Sequence, residues 1–273
     1  MSENMTIIDF HTHAFPDTLA EKVIPMLEQK GSIKASLDGK ISSLLTSMDR
    51  AGIAISIVSS IATRVSQFEP ILNWSLSIAS DRLIPFTSLH PKDPAILDRI
   101  EQIHDAHIAG IKLHPYYQDF SLDDESMFPV YEKIARLGLI LLVHTGFDLV
   151  YGRKRLADPV KTVHIFDTFP SLKLVTSHLG AWQDWDEAEK HILGKPIYMD
   201  VSYTIEFIGE KRAKNFLLNH PKDFLLFGSD SPWGEQKGTI ALLNKLELPQ
   251  DLYEAICCKN AERLLKLTQD RVR

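Results

Sequence analysis

The chain has 273 residues, 44% of them hydrophobic and 24% charged, with 30 basic against 36 acidic side chains and a formal net charge of −6. That is an ordinary globular composition, long enough for a large core, and without basic runs interleaved with aromatics it argues against a nucleic-acid partner. No apolar run reaches membrane-spanning length, the opening Met1-Ser2-Glu3-Asn4 lacks a leader's pattern, and the adjacent Cys257 and Cys258 make no disulfide framework, so the expectation is a cytoplasmic protein with no membrane partner.

The first predicted strand is the apolar run 7–10, which delivers His11-Thr12-His13 at its end. Side chains alternate along a strand, so these two imidazoles project to one side and can share a metal ion. Two unrelated, solvated histidines are the plain alternative. Residues 17–29 are predicted helical with Asp17 as the cap, and 41–51 form a second helix ended by Gly52. A strand over 54–59 follows, then a loop with Arg64 and Gln67 and a helix starting near Pro70, a good first-turn position for proline. The strand 83–89 is closed by His90-Pro91, 94–106 is helical, and the short strand 110–115 carries Lys112 and His114.

A helix over 127–137 stops at Gly138, and the apolar strand 139–143 delivers His144. A longer loop with Arg153, Lys154 and Arg155 precedes a helix over 158–169. The strand 172–176 delivers His178 ahead of a helix over 184–193, and the strand 197–201 holds Asp200 ahead of a helix over 205–219. The last strand, 224–227, runs into Gly228-Ser229-Asp230-Ser231-Pro232, and helices over 236–246 and 250–267 close the chain.

Eight short apolar strands, each followed by a helix or helix pair, predict an α/β fold of the (β/α)8 barrel type in one domain over residues 1–273. An open doubly wound sheet is the alternative, but no Gly-x-Gly-x-x-Gly follows the first strand. In such a barrel the strands' C-terminal ends carry the active site. Those ends hold His11, His13, His90, Lys112, His114, His144, His178 and Asp230. Nitrogen ligands with a carboxylate suit a divalent ion such as zinc, which lowers the pKa of bound water to about 7. Asp230 as a helix cap, Lys112 in a salt bridge and His90 as a strand terminator are the structural alternatives. His104, His107, His164 and His191 on predicted helices, and His220 just past one, are expected at the surface. Arg153 and Arg155 are candidates to clamp a substrate carboxylate, with a solvated charge cluster as the alternative. Trp182, Trp233, Phe15 and Tyr203 stand near strand ends as pocket lining or packing, and Asp200 either faces the mouth or pairs with a neighbour.

His11-Thr12-His13, His144-Thr145-Gly146, His178-Leu179-Gly180 and Gly228-Ser229-Asp230-Ser231-Pro232, each after an apolar strand, resemble the amidohydrolase superfamily. They are most similar to its amidohydrolase-related branch, which includes aminocarboxymuconate-semialdehyde decarboxylase and related decarboxylases and hydrolases. The closing Asn260-Ala261-Glu262-Arg263-Leu264-Leu265 resembles that branch's C-terminal helix. The resemblance implies that His11, His13 and His144 bind metal, with Asp230 as fourth ligand or proton shuttle. It implies His178 as general acid/base and leaves His114 as a substrate contact. One ion, zinc for preference, is expected. The two-metal arrangement, with His178 on a second ion and a carboxylated Lys112 between them, is the alternative. The expected substrate is a small molecule: an amide, ester or lactone hydrolysed by activated water, or else a small aromatic or unsaturated carboxylic acid that is decarboxylated. A catalytically silent ligand-binding barrel is the third possibility, and the resemblance suggests a homodimer.

Overall fold

Ten strands organise the computed structural model, which describes residues 6–267; the opening Met1-Ser2-Glu3-Asn4, read as lacking a leader's pattern, lies outside them. In chain order they are β1 (Ile7–Thr12), β2 (Ile53–Ser59), β3 (Leu83–Thr87), β4 (Gly110–Leu113), β5 (Ile140–Val143), β6 (Gly146–Asp148), β7 (Gly152–Ala157), β8 (Lys173–Thr176), β9 (Tyr198–Asp200) and β10 (Leu225–Leu226). Eight of them form one sheet in the order β1-β2-β3-β4-β5-β8-β9-β10, and β6 with β7 make a separate two-stranded sheet. The Phe10 N–H donates to Phe227 O at 2.8 Å, joining β1 to the residue after β10. This is the (β/α)8 barrel that the strand–helix alternation predicted.

Internal contacts divide the described residues into two compact units, one of 6–58, 80–84 and 194–267, the other of 59–79 and 85–193. In the second unit every residue of β5 is buried, as expected of a parallel strand covered on both faces. Leu141 and Val143 join Ile111 and Leu113 of β4 and Leu174 of β8 in one apolar cluster. Ile100 and Ile103 of the helix Ile96–Asp105, and Val130, Tyr131 and Ile134 of the helix Phe128–Arg136, belong to the same cluster. Each such aliphatic side chain contributes about 1.5–3 kcal/mol by leaving water. The register then positions function. Leu113 lies opposite Val143 and Val143 opposite Thr176 without a slip, so His114 and His144 leave the sheet side by side.

In the first unit β1 pairs with β2 and β9 with β10, both in parallel. The C-terminal helical run is Gln250–Glu254, a π-helical segment Ala255–Lys259, and Asn260–Leu265. Cys257 and Cys258 are buried in the π segment, and burial pushes both thiols up to about 12. They are core residues, with thiols that burial keeps protonated. Two sequence expectations need revision here. The helix over 205–219 is two helices, Ile205–Ile208 and Glu210–Asn219, divided at Gly209. The loop after His144 is the β6/β7 hairpin; its Arg-Lys-Arg stretch is exposed and shows no apolar alternation that would reveal a strand. No helix among the described residues is long and apolar enough to cross a membrane.

His220 also departs from expectation, being 4% exposed and buried. Its Nε2–H donates to Ile197 O at 2.9 Å, while Nδ1 is buried with no hydrogen-bond partner. Burial pushes its pKa down to about 4, against the pull of the Ile197 carbonyl. The folded pKa lies below the unfolded value near 6.5, so the stability it contributes is present above pH 6.5 and lost as pH falls through 4. The loss should amount to about 3 kcal/mol. Urea midpoints of wild type should therefore decline over that window, and a His220→Gln variant, which keeps a donor for Ile197 O, should decline less. Identical slopes for the two proteins would exclude His220 as the titrating group.

Candidate active site

Each unit gathers one set of side chains that could hold a metal ion. In the first, β1 carries His11, almost fully buried, one residue before its end at Thr12, and His13 follows it. His11 Nδ1 lies 2.9 Å from Asp200 Oδ2 and 3.0 Å from Ser202 Oγ. The Ser202 hydroxyl itself donates to Asp200 Oδ1 at 2.5 Å. Nδ1 therefore carries the proton and donates, which leaves the lone pair on His11 Nε2. Asp230 Oδ1 lies 3.5 Å from His11 Nε2 and 3.4 Å from His13 Nε2. Three ligand atoms from His11, His13 and Asp230 thus lie within 4.8 Å of one another. Two imidazole nitrogens and a carboxylate oxygen fit a divalent cation.

The loop after β10 is zipped onto this histidine pair by backbone. Asp230 N donates to His11 O at 2.8 Å, and His13 N donates to Ser231 O at 2.5 Å. A second buried carboxylate, Asp9, braces the same loop. Its Oδ1 accepts from Ser229 N at 3.0 Å and His11 N at 3.2 Å, and its Oδ2 from Ser229 Oγ at 2.6 Å and Gln236 Nε2 at 2.8 Å. Burial pushes the Asp9 carboxyl up to about 6, while those donors pull it down. Tyr203, after β9, has its phenol pushed up by burial and by the neighbouring Asp230 carboxylate.

The second unit brings His114, His144 and Asp148 together, again with ligand atoms within 4.8 Å. The rings of His114 and His144 stack with centroids 4.2 Å apart, and His114 Nε2 lies 3.6 Å from Asp148 Oδ2. Both nitrogens of His144 have partners: Nε2 donates to Phe147 O at 2.8 Å, so Nδ1 accepts from His178 Nε2 at 3.2 Å. Asp148 Oδ1 accepts from Val150 N at 2.8 Å and so closes the hairpin turn. Tyr117 lies edge-on to His114 at 4.5 Å, and Trp182 edge-on to His178 at 5.7 Å.

His178 and Asp230 share a backbone peculiarity. Their φ angles are 61° and 60°, a left-handed conformation that non-glycine residues seldom adopt. Such strain costs on the order of 1–3 kcal/mol and clusters at functional sites. Trp185 Nε1 pins the first of these turns by donating to His178 O at 3.0 Å.

The other predicted site residues are less central. Arg155 pairs with Asp184 at 3.1 Å, and burial pushes that carboxyl up against the pull of Arg155. Arg153 stands over the Phe147 ring at 4.9 Å on the exposed face of the hairpin. Lys112 is fully buried in β4. His90 accepts at Nδ1 from Lys92 N at 3.2 Å and ends its strand in a turn. Asp9, Asp148 and Ser202 had not been singled out at all. No spacing marks them, because each serves a residue distant in sequence or the turn of a hairpin.

The amidohydrolase family model matches residues 8–267. The chain belongs to the amidohydrolase family. By sequence it is 29% identical over 122 residues to a dihydroorotase of Helicobacter pylori, across 41% of this chain and 35% of that protein. The match thus spans about a third of that relative's length. In fold it is similar to 5-carboxyvanillate decarboxylase from Sphingomonas paucimobilis, with 14% identity, TM-score 0.71, and coverage of 97% and 100% of the two chains. It is similar also to 2,6-dihydroxybenzoate decarboxylase from Rhizobium, with 16% identity, TM-score 0.69, and coverage of 96% and 99%. On this amidohydrolase scaffold, the two ligand triads give the chain the equipment of a metal-dependent enzyme.

Proposed function

We propose that the protein is a metal-dependent decarboxylase of a small, flat aromatic or unsaturated carboxylic acid. The observation that carries this reading is the place of His178: its Nε2, 3.2 Å from His144 Nδ1, lies among flat side chains, the stacked His114 and His144 and the edge-on Trp182. Loss of carbon dioxide breaks a carbon–carbon bond and leaves a carbon that must take a proton. His178 would give up its hydrogen bond to His144 Nδ1 and donate that proton from Nε2, and solvent would restore it. The two similar decarboxylases, each named for a carboxylated aromatic compound, support the substrate class. A family match running unbroken over residues 8–267 supports treating the chain as one domain.

His11, His13 and Asp230 would hold one divalent ion, zinc for preference. Such an ion supplies Lewis acidity that orients and polarises an anionic oxygen. His11 contributes a lone pair fixed by its Asp200 partner, and Asp230 offers a carboxylate that can accept a proton. The resemblance also implied His144 as a ligand. That role requires one of its ring nitrogens to give up Phe147 O or His178 Nε2.

Hydrolysis of an amide, ester or lactone is the second reading. It is favoured by Asp230 Oδ1, 3.4 Å from His13 Nε2 and placed to take a proton from water. The dihydroorotase relatives point the same way. A panel of small aromatic and unsaturated acids, assayed for carbon dioxide with zinc- or manganese-loaded protein, separates the two. Release of carbon dioxide is the expected result. Cleavage of lactones or amides, with every acid left intact, would overturn decarboxylation. Chelator treatment should remove activity and lower the melting temperature, and added zinc should restore both. A melting temperature indifferent to chelator, zinc and manganese would remove the ion from the proposal.

A further inference from the structure

We infer that Asp200 and Ser202 form a positioning clamp that sets the metal affinity of the centre by fixing the tautomer and orientation of His11. The inference rests on the proposed role of His11 as a ligand. Asp200 is 0% exposed and its carboxylate is engaged on both sides. Oδ2 accepts from His11 Nδ1 at 2.9 Å, and Oδ1 accepts from Ser202 N at 3.0 Å and Ser202 Oγ at 2.5 Å. With its hydroxyl proton committed to Asp200, Ser202 Oγ offers a lone pair to the same His11 N–H at 3.0 Å. The imidazole thus donates a forked hydrogen bond into a two-residue acceptor and has one way to face. The other ring nitrogen, turned toward Asp230, is left basic.

An independent packing observation isolates the same three residues. A Cβ built on Gly228 would lie 3.0 Å from His11 Cβ, 3.2 Å from Ser202 Cβ and 3.3 Å from Asp200 Cβ. The loop after β10 therefore packs against the three Cβ atoms by close backbone approach, which holds the bases of these side chains together. Strand pairing explains the placement. Leu226 lies opposite Asp200, so the chain reaches Gly228 just past the strand end that delivers Asp200 and Ser202. A histidine whose remote nitrogen donates to a carboxylate is a more basic and better oriented ligand, and losing such a partner typically costs 10–100-fold in metal affinity.

The test measures zinc affinity of the full chain by competition with a chromophoric chelator, for wild type, Asp200→Asn and Ser202→Ala. The nitrogen-15 shifts of the His11 ring are recorded in metal-free protein. Asp200→Asn should bind zinc roughly 10–100-fold more weakly, and Ser202→Ala should lose affinity in the same direction by less. Wild type should show the proton on His11 Nδ1, and Asp200→Asn a mixture of tautomers. Wild-type zinc affinity in both variants would overturn the inference, as would lowered melting temperatures of the metal-free variants with affinity unchanged, the signature of a purely structural role. If Asp200→Asn fails to fold, Ser202→Ala and the wild-type tautomer decide. If wild type takes up no zinc, the proposed metal centre fails and the clamp's role in affinity with it; a wild type that binds zinc but lacks the proton on His11 Nδ1 overturns the clamp alone.

Discussion

Asp230→Asn should fold as wild type does and lose roughly 10²–10⁴-fold in turnover, the range expected when a positioned proton acceptor is removed. The fold should persist because backbone, not the carboxylate, holds this turn. Asp230 N donates to His11 O at 2.8 Å, and Trp233 N donates to Asp230 O at 2.9 Å. Asparagine also tolerates the left-handed conformation that Asp230 adopts at φ 60°. The damage is local and electrostatic. Asp230 Oδ1 faces His11 Nε2 and His13 Nε2 at 3.5 and 3.4 Å, and a neutral amide there neither offsets a cation's charge nor accepts a proton from substrate or water. Zinc affinity should fall with activity while the melting temperature of the metal-free protein stays within a few degrees. Steady-state turnover on the acid identified in the panel, with zinc titration alongside, makes the comparison. Wild-type turnover in this variant would remove Asp230 from the mechanism.

The barrel was legible because its signal is repeated: eight apolar strands, each followed by a helix, leave few topologies open. Strand ends were legible too, since an apolar run such as 139–143 must stop where His144 begins, and the observed β5 stops there. What the sequence could not convey is which strand-end residues meet. His11 and Asp200 are 189 positions apart and meet at 2.9 Å, and Asp9 meets Ser229 across 220 positions. Asp9 in particular sits in an apolar strand, where a lone carboxylate has no pattern to identify its partners. His144 reads as a metal ligand by motif, yet its nitrogens bond Phe147 and His178, a local arrangement that depends on the unforeseen hairpin. His220 was misjudged for a related reason. Its place just past a helix suggested solvent, but Ile197 supplies a buried carbonyl 23 positions away.

Gly146→Ala should be the most damaging single-methyl change in the second unit, destabilising it by about 3–5 kcal/mol and lowering the melting temperature by roughly 6–20 °C. Gly146 has φ +88°, and a Cβ there would meet backbone, not a flexible side chain: Trp182 N at 2.1 Å, Trp182 O at 2.4 Å and Ala181 C at 2.5 Å. These two segments are hydrogen-bonded to each other, Phe147 N to Trp182 O at 2.8 Å and Trp182 N to Thr145 O at 2.8 Å. Neither backbone can yield without breaking a bond that the other needs, and the left-handed φ adds its own cost for alanine. The movement would carry Phe147 O away from His144 Nε2 and Trp182 away from the His178 ring. The proton delivery proposed for His178 should therefore suffer together with stability. His11, His13 and Asp230 belong to the other unit, so zinc uptake by the folded fraction should survive. Urea denaturation, zinc titration and turnover on one preparation read all three. An unchanged urea midpoint would show that the contact between residues 146 and 182 is looser than this close approach requires, and full activity would detach the hairpin's geometry from the chemistry of His144 and His178.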